Sequence, residues 1–197
     1  MMSISSRIVA VTAALATAVV VSSCSKTEDH SQHAASTTTT SSTVAAHNAD
    51  DVTFAQMMIP HHQQAVELAA LAPAHTTNQA VLKLASTISA EQQPEINAMT
   101  ALLLQWDADP GMGDHGGHGA GMAGMVDDAT MARLKSLNGP EFDTLWLQAM
   151  IGHHRGAIDM AKAEIANGQS VDMTAMAKTM VTAQQAEIDQ MKQMLGG

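Results

Sequence analysis

Apolar side chains recur every three to four residues through two separated stretches of the chain, and that spacing predicts amphipathic helices. In the first stretch Phe54, Met58, His61, His62, Ala65, Leu68, Ala69 and Ala72 fall on one face, while Glu67 points away. A second stripe follows, made of Leu84, Ile88, Glu91, Gln92, Glu95, Met99 and Leu102. The pattern then returns. Trp146, Met150, His153, His154, Ala157, Met160 and Ala161 share a face with Asp159 outward, and Met176, Met180, Gln184, Glu187, Met191 and Met194 form the last stripe. Turn-forming residues from Pro73 to Asn78, and Asn167-Gly168-Gln169-Ser170, mark the expected loops.

The return is an internal duplication. Residues 54–103 align without a gap to 146–195 at an offset of 92, with 16 of the 50 positions identical. Met58-Ile59-Pro60-His61-His62 matches Met150-Ile151-Gly152-His153-His154, and Gln92-Gln93-Pro94-Glu95-Ile96 matches Gln184-Gln185-Ala186-Glu187-Ile188. Alanine matches arise by chance in so alanine-rich a chain; His pairs, Gln pairs, Glu and Met in one register do not. Two hairpins with one apolar stripe per helix bury those stripes most simply against each other, so the expected fold is all-α, a four-helix bundle of two duplicated hairpins. Residues 126–138 are expected to add a short helix that Asn138-Gly139-Pro140 stops.

The ends and the linker change the picture. Arg7 followed by an apolar run over 8–21 is too short for a comfortable membrane span and fits an export signal over 1–23. Val21-Ser22-Ser23-Cys24 resembles a lipoprotein cleavage box with Val in place of the usual Leu, so Cys24 is the expected lipidation site. It is the single cysteine, which rules out an intrachain disulfide. Residues 24–50, rich in Ser, Thr and Ala and carrying His30, His33 and His47, read as a flexible tether. The domain then spans 51–197, with repeat one at 51–107, a Gly/Met/His-rich linker at 111–125 and repeat two at 139–197. The expected location is the extracytoplasmic face of the cell membrane, with a soluble secreted or periplasmic form as the alternative. A net charge of −10 argues against nucleic acid as a partner.

The candidate chemistry sits on the buried faces. A lone inward histidine is usually a hydrogen-bonded core residue, but His61, His62, His153 and His154 would put four imidazoles into one small core. Met58 and Met150 lie one turn before the His pairs, and Met99 and Met191 one turn beyond Glu95 and Glu187. The two glutamates read as ligands or as acceptors that orient ligating imidazoles. Pro60 and Gly152 share a register position where a kink would aim the His pairs. Met112, His115, His118, Met122 and Met125 in the linker would suit capture of a soft ion from solution. A diiron carboxylate centre wants Glu-x-x-His spacing and more inward Glu, and zinc gives no reason for 16 Met; copper, Cu(I) or Cu(II), explains His and Met together.

The strings FDTLWLQAMIGHHRGAIDMAKAE and FAQMMIPHHQQAVELA resemble the bacterial family known as domain of unknown function 305, over about residues 50–197. The resemblance implies a ferritin-like four-helix core, and an association with copper binding and copper resistance outside the cytoplasm. It carries metal binding onto Met58, His61, His62, Met150, His153 and His154, and it implies no agreed reaction. The expected function is an extracytoplasmic copper-binding protein that buffers, stores or transfers the metal, not an enzyme. A homo-oligomer or a copper-transfer protein would be its macromolecular partner. The alternatives are a ferritin-like dinuclear metal oxidase and a surface interaction module without metal.

Overall fold

The structure, a computed structural model, describes residues 46–111 and 122–196. The leader, Cys24, His30 and His33, and linker residues Met112, His115 and His118 lie outside them. Five helices follow in order: α1 (Ala49–His75), α2 (Gln79–Gln105), α3 (Asp128–Leu134), α4 (Gly139–Asn167) and α5 (Val171–Met194). α1 packs along α2 and α4 along α5. The two hairpins join where α1 crosses α4, whereas α2 and α5 meet only briefly. No helix among the described residues is long and apolar enough to cross a membrane.

Local chemistry sets the helix ends. Asn48 accepts from the backbone N–H groups of Asp50 and Asp51, and Asp51 returns the bond to the Asn48 N–H, a capping box that starts α1 at Ala49. α1 therefore begins inside the span expected to be tether, and His47 just ahead of it stacks on Trp106 with ring centroids 4.6 Å apart. Two expected boundaries also shift. Pro73 lies within the last turns of α1, because Ala72 is buried and His75 hydrogen-bonds to the Leu137 carbonyl, so the first loop shrinks to 76–78. Gly139-Pro140 opens α4 instead of stopping α3; a proline in the first turn loses no intrahelical bond. Pro60 and Gly152 interrupt neither α1 nor α4.

The packed faces are those of the stripes, with one exception. Glu91 is exposed at the stripe's edge, where solvent spares it the cost of burial. The core forms two apolar clusters. One gathers Ala65, Leu68 and Ala72 of α1, Leu84 and Ile88 of α2, and Phe142, Trp146 and Met150 of α4. The other gathers Phe54 and Met58 of α1, Met99 and Leu103 of α2, and Met173 and Met180 of α5. The Trp146 indole N–H donates to the Leu68 carbonyl at 2.8 Å, tying α4 to α1 inside the core.

The hairpins also hold each other's loops. Asp51 on α1 accepts from the backbone N–H groups of Gln169 and Ser170, ahead of α5. Its register mate Asp143 on α4 accepts from the side chain of Asn78, ahead of α2. Burial would raise the Asp51 pKa, but the N–H groups of Asn48 and Ser170, the Glu164 carboxyl and the Gln169 N–H together outweigh it and keep the carboxylate charged. Glu164 beside it is buried, and burial first, then Asp51 and Asp50, pushes its carboxyl up to about 8.

Glu164 therefore stays protonated in the fold but releases its proton near 4.5 in the unfolded chain, so stability falls as pH climbs between those values. Glu164→Gln, neutral at every pH, should melt higher than wild type at pH 8, with the gap shrinking towards pH 5. Thermal unfolding at the two pH values checks this.

Candidate metal centre

Between the two apolar clusters lies a polar layer that both hairpins build. His61 and His62 project from α1 and His153 and His154 from α4, and none is more than 1 % exposed. The alanines one and two turns on, Ala65, Ala69, Ala157 and Ala161, are buried too and leave room for the rings. The imidazoles of His61 and His153 meet across the α1–α4 seam with centroids 3.7 Å apart and planes tilted by 37°. His153 and His154 lie 6.3 Å apart, at 56°.

The expected glutamates reach this layer in matched fashion. The Nε2–H of His62 donates to Glu95 at 2.8 Å, and that of His154 to Glu187 at 2.7 Å. A carboxylate can only accept, so Nε2 of each of these rings carries the proton that its glutamate receives, and Nδ1 lies on the other side of the ring. The Nε2–H of His61 donates to the carbonyl of Ala123 at 3.2 Å. Nδ1 of His61, His62 and His154, and both nitrogens of His153, are buried without a hydrogen-bond partner. An orphaned buried polar group ordinarily costs about 1–3 kcal/mol. Several such nitrogens in one layer are expensive unless something else coordinates them.

Electrostatics keeps the central rings unprotonated. Burial, then the neighbouring His62, pulls His61 down to about 3; the Ala123 carbonyl opposes this in part, and His154 adds a smaller push in the same direction as His62. His153 is held well below the usual histidine range by burial and by His61, His154 and His62, with only slight compensation from the nearby His61 backbone. Both rings present lone pairs at neutral pH, which metal coordination requires.

The four expected thioethers are all fully buried. Met58 and Met99 belong to one apolar cluster, and Met150 and Met191 to the other, so the sulfurs flank the imidazole layer on either side. Among the described residues no three of His, Cys, Asp and Glu converge as a metal-holding group. The side chains that are present, imidazoles with buried thioethers in the clusters on either side, are of the kind that soft ions take as ligands. Linker residues Met122 and Met125 are half-buried on the segment that also supplies Ala123. Sequence patterning singled out Met122 and Met125 but not the Ala123 carbonyl between them, nor Gln64, which grips the segment; the unpartnered amide oxygens of Gln92 and Gln184 were visible only as a repeated Gln pair.

Fold and layer together define a duplicated helical bundle with paired histidines and glutamates in its core. The chain belongs to the DUF305 family, a domain of unknown function whose profile matches residues 51–195. A DUF305 protein of Streptomyces coelicolor is 33 % identical, with a TM-score of 0.70 over 75 % of this chain and 91 % of that one. A DUF305 fragment from Deinococcus radiodurans is 32 % identical, with a TM-score of 0.69 over 76 % and 97 %. CopM in its Cu(II)-bound form is 33 % identical, with a TM-score of 0.62 over 73 % and 93 %. CopM structures with Cu(I) and with silver are similar to this chain as well. No curated protein matches the chain.

The depressed histidines predict acid sensitivity of the metal-free protein. Below about pH 6.5 the unfolded chain takes up protons that folded His61 refuses down to about pH 3, and that the more deeply buried His153 refuses as well, so stability drops as pH falls. The slope should reach about 1.4 kcal/mol per pH unit for each histidine. Urea unfolding between pH 7 and 4.5 would measure it. His153→Phe should remove roughly half, and a flat wild-type profile would contradict the assignment.

Proposed function

We propose that this protein is an exported copper-binding protein that buffers, stores or hands on copper. The observation carrying this reading is the His61–His153 pair, two neutral buried imidazoles in ring contact, with orphaned nitrogens and buried methionine flanking them. His61, His62, His153 and His154 are the nitrogen ligands in this reading, drawn on in part or together. Met58, Met150, Met99 and Met191 supply sulfur, and Glu95 and Glu187 orient His62 and His154 without ligating. Thioether beside imidazole selects Cu(I), with Cu(II) accepted through nitrogen. The Cu(I), Cu(II) and silver forms of CopM, about one-third identical, support a soft-metal role.

Export rests on the leader and is supported by the similarity to a Streptomyces coelicolor protein described as secreted. In the same reading a lipid on Cys24 holds the protein at the membrane, and the linker's Met112, His115, His118, Met122 and Met125 collect ions for the core. The protein works by holding the metal and runs no reaction of its own.

Competition titration against a Cu(I) chelator tests the proposal. The wild type should bind tightly and prefer Cu(I) and Ag(I) to Zn(II), and His61→Ala/His153→Ala should weaken Cu(I) on the order of a hundredfold, equivalent to about 2.8 kcal/mol. Indifference of wild type to Cu(I), or iron loading with oxygen consumption, would defeat it.

A further inference from the structure

The two halves of the site are built alike but are not held alike, and the difference lies in residues 122–126. This strap crosses the α1–α4 seam above the imidazole layer. Gln64 grips it from α1 with two hydrogen bonds, Nε2–H to the Val126 carbonyl and Val126 N–H to Oε1, both 2.8 Å. On α4 the strap beds into a notch at Gly156, where a Cβ would overlap the Ala123 carbonyl. Gly124 completes the fit: its φ is +84°, and a Cβ there would come within 2.9 Å of the His153 carbonyl oxygen. Gln64 and Gly156 occupy the same register position, 92 residues apart. The duplicated position has diverged into a clamp on one side and a gap on the other, and both act on one strap.

The consequence reaches the metal layer through one bond. The seated Ala123 carbonyl accepts from Nε2 of His61. Its counterpart His153 makes no hydrogen bond of good geometry from either nitrogen, with only the His61 backbone lying near the ring. We propose that Gln64 and Gly156 are positioning residues: by seating the strap they fix His61 as the Nε2–H tautomer, so that its Nδ1 is the donor atom offered to a soft cation, while His153 stays free to use either nitrogen. The tautomer assignment stands on apo geometry, and its effect on affinity rests on the copper reading above.

Nitrogen-15 NMR of the histidine rings in the metal-free full-length protein reads the tautomers directly, and Cu(I) competition reads the consequence. Wild-type His61 should show a protonated Nε2 and a bare Nδ1. Gln64→Met keeps the length of the side chain and removes both strap bonds; it should move His61 to a tautomer mixture while His62 and His154, held by their glutamates, stay as they are. Gly156→Ala, which lifts the strap from the opposite side, should do the same. Both variants should lose about tenfold in Cu(I) affinity, the usual scale for a partner that orients a ligand. An unchanged His61 tautomer in either folded variant, or equal shifts at all four histidines, overturns the proposal. Wild-type protein that shows the expected tautomer yet ignores Cu(I) would support the positioning and overturn the copper reading alone.

Discussion

Everything in this bundle is arranged around the cost of putting four imidazoles where water cannot reach them. Apolar clusters above and below keep the layer dry, and dryness holds His61 and His153 neutral. Buried rings still need acceptors for their N–H groups. Glu95, Glu187 and the Ala123 carbonyl meet that need at Nε2 of three rings and leave the opposite nitrogens without hydrogen-bond partners. The layer is polar on its outer side and starved of partners on its inner side, which is the condition under which a metal ion repays burial.

The stripe of Met, His, His and Ala on α1 and α4 was legible because a 3.6-residue period writes the buried face directly into the chain. The Glu partners were legible for a different reason: His62–Glu95 and His154–Glu187 have the same separation of 33 residues, so the repeat carries the pair as a unit. What escaped lies outside the repeat or where its copies differ. Pro73 and Gly139-Pro140 are punctuation whose meaning depends on what packs beside them, and the buried Ala72 and the first-turn geometry of α4 decided it. Glu91 shares the angular position of a core residue but sits at the rim. The strap depends on a glycine notch and a glutamine 62 residues away in sequence, a pairing that no local period encodes. The linker's Met112, His115 and His118 and the lipidation residue Cys24 fall outside the described residues, so their roles rest on patterning alone.

The two apolar clusters are not copies of one another. Where the first has Val81 and Ile88, the second has Met173 and Met180, all essentially inaccessible to solvent. Methionine fills irregular space without a fixed shape and offers polarizable sulfur, whereas the branched residues lock a rotamer. At these two register positions one side of the imidazole layer is backed by branched side chains and the other by thioethers. The strap adds a second asymmetry across the same layer. A pseudo-symmetric scaffold thus presents an asymmetric donor set, which suits an ion that takes few ligands better than one that demands a regular cage.

The reciprocal grip of Asp51 on the loop before α5, and of Asp143 on the loop before α2, has the form of a two-fold contact between identical subunits. In a true dimer of one hairpin, any change at such a contact would be imposed twice and would have to suit both places at once. Joining the halves in a single polypeptide lifts that obligation. Ala72 in one copy can stand where the other has Glu164, and Gln64 where the other has Gly156, each solving a separate problem at what began as one address.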